Sequence, residues 1–278
     1  MVKRRIITHR KPHLDEIACI WLVKRFLPGW EDCSVGYIPT NPKGGAVKNP
    51  DQDVDVMYIG VGRGKFDEHK GNLADSATTL IYKFISREKK VKFLSAAHGA
   101  IEELVNFIND DDHGLHITLP HSEFMFSSAN SFMAQAGYSS PKILEAGLAY
   151  LDGVYVCLLE KHLLERDWKK AKFIKTKWGS AVALQTSVSP KTVLRRSVQE
   201  GILIAIVVNP KNNFRSIRAV PESSADFTEA FEQVRTREPQ AEWYLHHSKK
   251  MLICGSDVAS NVSLSKLPLS SLSATIAV

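Results

Sequence analysis

The chain opens with a short apolar run, Ile6-Ile7, and then passes into helical spacing at Ile17, Ile20, Trp21 and Phe26. This predicts a buried strand over 5–8 and a helix over 14–27, with His9, His13 and Asp15 on the loop between strand end and helix start. A connection containing Pro39, Pro42, Gly44 and Gly45 leads to a second strand over 54–61. Alternation of strand and helix is the signature of a parallel sheet. Ala77, Leu80, Ile81, Phe84 and Ile85 then mark one face of a helix over 76–89, and Leu94, Ala97, Ile101, Leu104, Val105 and Ile108 mark another over 93–108. Pro141 suits a first helical position, and a long apolar face follows it to about residue 172, with the basic stretch 166–177 as a solvated connector.

The pattern restarts after residue 177. Strand-like runs at 181–186, 202–208, 214–220 and 251–254 alternate with helical runs at 189–200 and 225–235, and Asn209-Pro210-Lys211-Asn212-Asn213 has the chemistry of a tight connection. The Ser-rich tail over 260–273 alternates Leu with Ser and predicts a terminal strand or short helix. The expected fold is therefore α/β: a parallel-sheet metal-binding domain over 1–172, including the long connecting helix, followed by a smaller α+β domain over 177–278.

Composition narrows the class. With 278 residues, 44% hydrophobic and 24% charged, the chain can build two cores and is neither disordered nor fibrous. No apolar run reaches the roughly 18 residues that a membrane helix needs, and the basic start lacks the apolar segment of a secretory signal, so a cytoplasmic protein is expected. Cys19, Cys33, Cys157 and Cys254 are widely spaced without a C-x-x-C pair and read as reduced thiols. The net charge of +6 favours anionic partners only weakly.

Three groups of metal-ligating side chains fall at three predicted element ends: His9, His13 and Asp15; Asp67, Glu68 and His69; and Asp110, Asp111, Asp112 and His113. Imidazole with carboxylate suits manganese, zinc or iron, and carboxylate alone leans towards magnesium. Asp15 also suits a helix cap and Asp110 to Asp112 an acidic turn. Arg63 and Lys65 flank the second group and could attract an anion. In the second domain Arg215, Arg218, His246, His247 and Lys249, beside Trp243 and Tyr244, offer phosphate contacts and base stacking of the kind single-stranded nucleic acid uses. Asp152, within the long apolar helix, is a candidate buried carboxylate, and its pairing with Gly153 suggests a local helix irregularity.

These motifs resemble the DHH phosphoesterase superfamily, most closely the branch of melanocyte-proliferating-gene type exonucleases. Thr8-His9-x-x-x-His13-x-Asp15-Glu16 matches that branch's first metal motif. Phe66-Asp67-Glu68-His69 lies where the family carries Asp-His-His, and Ile108-Asn109-Asp110-Asp111-Asp112 resembles its late metal-binding aspartate. The resemblance implies a divalent metal, Mn2+ or else Mg2+, held by His9, His13, Asp15, Glu68, Asp111 and Asp112, with His69 and Asp67 catalytic. It implies a second domain that binds substrate, with Gly255 near a glycine-rich substrate loop; the residues themselves offer Arg63, beside the second metal motif, and Arg215, Arg218, His246 and His247, in the second domain, as substrate contacts. The activity implied is phosphoester hydrolysis on a nucleotide or short single-stranded oligonucleotide. Two departures stand out: Gly60 replaces the strand-end aspartate that usually bridges two metals, and Glu68 replaces the first histidine of Asp-His-His. The alternative they raise is a relative that binds nucleotide or nucleic acid without hydrolysis.

Overall fold

The computed structural model describes residues 3–40, 47–71, 74–89, 91–259 and 261–278, the side chains of Lys70 and Glu88 excepted. Pro42, Gly44, Gly45 and Ser260 lie outside the described residues. The fold is mixed α/β, with a three-stranded parallel sheet and a separate six-stranded sheet. The chain divides into two compact units, Met1–Leu159 and Glu160–Val278.

In the first unit β1 (Arg5–His9) lies between β2 (Ser34–Ile38) and β3 (Val56–Tyr58), parallel to both. Helix α1 (Leu14–Phe26) follows β1 and is buried all round from Leu14 to Val23, as a helix enclosed by a sheet and other helices must be. It packs against α2 (Ala77–Lys83) and α3 (Ser95–Asp112). The helix expected over 76–89 is regular only to Lys83 and continues through a wider turn, Phe84–Glu88, where the Lys89 N–H reaches the Phe84 carbonyl at 2.9 Å. Two elements were hidden in the sequence. β2 carries Gly36, over which the Arg5 side chain lies, and this interrupts the apolar alternation of the strand. The second is α4 (Phe126–Gln135), whose mostly half-buried or exposed positions give little apolar periodicity.

The long helix α5 (Ser140–Trp168) runs through Gly153 without a break, so the Asp-Gly pair is no irregularity. Asp152 is also not buried: its side chain is 54% exposed, accepting from Trp21 Nε1 at 2.9 Å and pairing with Arg25 Nη1 at 2.6 Å. Arg25 in turn lies 4.9 Å from the centre of the Tyr155 ring. Asp152→Ala is expected to cost about 1 kcal/mol, a charged contact discounted for its exposure, read as a lower urea midpoint with an unchanged slope. A midpoint equal to wild type would rule out this clasp.

The second unit holds the six-stranded sheet, in order β4 (Lys172–Thr176), β5 (Gly179–Gln185), β6 (Ile204–Val208), β7 (Arg215–Ala219), β9 (Met251–Cys254) and β8 (Trp243–Leu245). The connector read as solvated is β4, an edge strand antiparallel to β5 whose Lys-Phe-Ile-Lys-Thr sequence keeps two lysines on an open edge. The neighbouring strands β5 and β6 are apolar without alternation because both faces are covered. Ala181, Ala183, Ile204, Ile206 and Ile217 enter one core with Phe227 and Val234 of the segment forming α7 (Thr228–Arg237), while Val182, Leu184, Ala205 and Val207 enter another with Val193 of α6 (Pro190–Val198). The tail forms α8 (Leu269–Ala274). No helix among the described residues is long and apolar enough to cross a membrane.

Candidate metal centre

The site is built where β1 ends. His9 is the last residue of β1, and the loop after it is pinned from three directions. Lys11, at φ 56°, donates its N–H to Ser140 Oγ at 3.0 Å and its ammonium to the Tyr138 carbonyl, and Asn130 Nδ2 donates to the Pro12 carbonyl at 2.9 Å. His13 then stands at the start of α1, its N–H donated to Glu16 Oε2 at 2.9 Å, the return bond of a capping box. The rings of His9 and His13 meet edge to face, 4.9 Å between centres.

His9 Nδ1–H donates to the Arg10 carbonyl at 2.8 Å, which leaves Nε2 directed at Glu16 Oε2, 3.1 Å away. Burial works against charge on this ring, but the Glu16 carboxylate overcomes it and raises His9 to about 9. The same contact lowers Glu16 against the burial that would raise it.

Asp15 points the other way. Its Oδ2 accepts the Ala77 N–H at 3.0 Å and its Oδ1 the Thr78 N–H at 2.9 Å, while its carbonyl accepts from Thr78 Oγ1 at 2.8 Å. It caps α2 rather than the helix it belongs to. Burial, with the nearby charges of Glu16 and Asp112, pushes it up to about 7 against those hydrogen bonds.

Asp67 is buried and fully engaged, accepting from the Arg63 N–H at 2.7 Å, the His69 N–H at 3.2 Å and His69 Nδ1–H at 3.0 Å. It shapes the loop after β3 and aims His69, whose side chain is 70% exposed. Burial opposes protonation of His69, but the charges of Glu68 and Asp67 raise its pKa. Glu68 Oε1 lies 3.2 Å from His69 Nδ1, and its Oε2 is buried with no hydrogen-bond partner among the described residues. Burial, then Glu16 and Asp112, raise Glu68; burial and Glu16 raise Asp112, the last residue of α3.

Ligand atoms approach within 4.8 Å of one another in three groups: His9, His13 and Glu16; Asp67, Glu68 and His69; Asp15, Glu68 and Asp112. Gly60 adjoins them on an open cleft of about 640 Å3 that His9, His13, Glu16, Glu68, His69 and Asp112 share, with Arg10 and Lys11 among its other lining residues. The donor set suits a divalent ion: buried Asp15, half-buried Glu68 and the exposed Asp112 at the end of α3 have their pKa values raised in part by neighbouring carboxylates, and an orphaned carboxylate oxygen of Glu68 lies among them.

Other expected site residues lie elsewhere. Asp111 turns to Ser127, accepting its hydroxyl at 3.2 Å, so of the three aspartates Asp112 is the one that joins these groups. Arg63 is exposed at φ 55° and contributes its backbone N–H to Asp67. Lys65 lies over the Phe66 and Phe84 rings, bordering another hollow. In the second unit Arg215 is buried and donates to the Leu267 and Asn213 carbonyls, and Arg218 donates to Ser216 Oγ at 2.9 Å. Trp243 and Tyr244 belong to a strand, with Trp243 buried and Tyr244 52% exposed. His246 and His247 follow in the turn to β9, ring centres 3.9 Å apart. Gly255 is held at φ +84°, and a Cβ there would come within 2.4 Å of the Phe214 ring, so its role in the structure is close packing. Glu16 is the residue missed as a candidate ligand; its position three after His13, the capping-box spacing, was the available signal.

No family model matches the chain, and no curated protein matches it. Among solved structures it is similar to an uncharacterized protein from Helicobacter pylori G27, at 11% identity and a TM-score of 0.27 over 95% of this chain and 96% of that one. It is also similar to RecJ in complex with Mg2+ from Thermus thermophilus, at 11% identity and a TM-score of 0.33; the match covers 98% of this chain and 48% of RecJ, about half its length.

Proposed function

We propose that the chain is a divalent-metal-dependent phosphoester hydrolase acting on a nucleotide or short single-stranded oligonucleotide. The observation that carries this reading is the convergence of His9, His13, Glu68 and Asp112 on one open cleft, with Glu68 Oε2 buried and unpartnered among the described residues. A bound divalent ion, Mn2+ in first place, supplies a polarising charge for a phosphoryl oxygen and an activated water. The chain's own part is to hold and orient. His9 is fixed by the Arg10 carbonyl with Nε2 facing inward. Asp67 fixes His69, and the charges of Glu68 and Asp67 favour its protonated form, in which His69 would donate a hydrogen bond to charge developing on the phosphate. Arg10 and Lys11 bring positive charge to the same cleft. In the second unit Tyr244 offers a nucleotide a stacking face, and Arg218, His246 and His247 offer phosphate contacts. This agrees with the motif resemblance to DHH phosphoesterases.

The test is metal content by mass spectrometry, with Mn2+-dependent hydrolysis of dinucleotides, short single strands and a generic phosphodiester. His13→Ala is expected to lower turnover at least about 100-fold, as loss of a ligand-level contact does. Gly60 favours a second reading, a nucleotide binder that does not hydrolyse. Retention of nucleotide with no turnover in Mn2+, Mg2+, Zn2+ or Co2+ is the result that would select it.

A further inference from the structure

We propose that Glu16 is the carboxylate with which His9 and His13 hold a divalent ion, and that residue 60 is glycine because Glu16 fills the volume its side chain would need. The inference rests on the reading of the cleft as a metal centre and adds a ligand to it. Neighbouring carboxylates divide the work. Asp15 has both oxygens bound to the N-terminus of α2, whereas Glu16 lines the cleft and brings a carboxylate oxygen within 4.8 Å of ring nitrogens of both His9 and His13. Glu16 is 4% exposed, and its Oε2 serves His9 Nε2 and the His13 N–H.

Oε1 lies directly over Gly60. A Cβ there would stand 2.6 Å from Oε1 and 2.9 Å from Glu16 Cγ, inside any permitted non-bonded contact. The backbone at Gly60 is held in place, its N–H bonded to the Phe66 carbonyl at 2.9 Å and its φ at +62°, so it has little room to give. Strand end and helix therefore share one volume, and α1 supplies its carboxylate. Two imidazoles and one carboxylate favour Mn2+, Zn2+ or Fe2+ over Mg2+.

The experiment strips wild type, Glu16→Gln and Gly60→Ala with chelator, then titrates Mn2+ and Zn2+ by calorimetry alongside circular dichroism. Glu16→Gln keeps an oxygen for the His13 N–H and so preserves the cap. Gly60→Ala keeps Glu16 but displaces Oε1. Both are expected to weaken binding at least about tenfold while remaining folded, and the double variant to be no weaker than the worse single one, since both act on one oxygen. Wild-type affinity in both single variants would overturn the assignment of Glu16 and leave the metal centre standing. Failure of the wild type to bind either ion would overturn the metal centre, and this inference with it.

Discussion

Asp15→Ala is expected to destabilise the metal-free protein by about 2–4 kcal/mol at pH 4 to 5, because it strands two buried N–H groups, those of Ala77 and Thr78, at about 1–2 kcal/mol each. The loss shrinks towards pH 8. The folded pKa of Asp15 is raised from 3.8 to about 7, so the wild type holds its full contribution below about pH 4 and loses it as pH rises through about 7. The variant has no such group, and the two stability curves converge. Urea unfolding of chelator-treated protein between pH 4.5 and pH 8 measures this; a penalty that grows with pH would reverse the sign and defeat the account. A loss of activity in Asp15→Ala would therefore report on folding as much as on metal.

Glu68→Gln is expected to have opposite effects on stability and function. Glu68 carries an orphaned buried oxygen and a pKa raised by burial and by Glu16 and Asp112, so neutralising it relieves repulsion in the empty centre. The metal-free variant should gain about 1 kcal/mol, roughly 2–4 °C in thermal midpoint for units of this size. Mn2+-dependent hydrolysis and Mn2+ affinity should fall at least about tenfold, the exchange of stability for activity that strained sites show. Thermal scans with and without Mn2+ test both halves at once. A variant less stable without metal and unchanged in metal affinity would place Glu68 outside the centre.

The sequence itself determined most of the element order and that His9 and His13 share the loop between β1 and α1. The continuous apolar runs of β5 and β6 were legible because burial on both faces needs no alternation. His9 and His13 were legible because a strand end followed by a helix start leaves few places for a loop to go. Elements with weak apolar pattern were not: β4 is an edge strand with lysines, β2 is interrupted by Gly36, and α4 buries only Asn130 fully.

Only the tertiary structure decided how adjacent acids divide their roles. Successive residues on a helix point about 100° apart, so Asp111 and Asp112, or Asp15 and Glu16, go to different neighbours although their chemistry in the sequence is nearly the same. Asp112 meets Glu68 and Asp15 while Asp111 meets Ser127; Asp15 caps a helix that begins at Ala77, far along the chain, while Glu16 lies over Gly60. Those partners are distant in sequence, and local periodicity, which reports which face of an element is apolar, carries no information about what that face will meet.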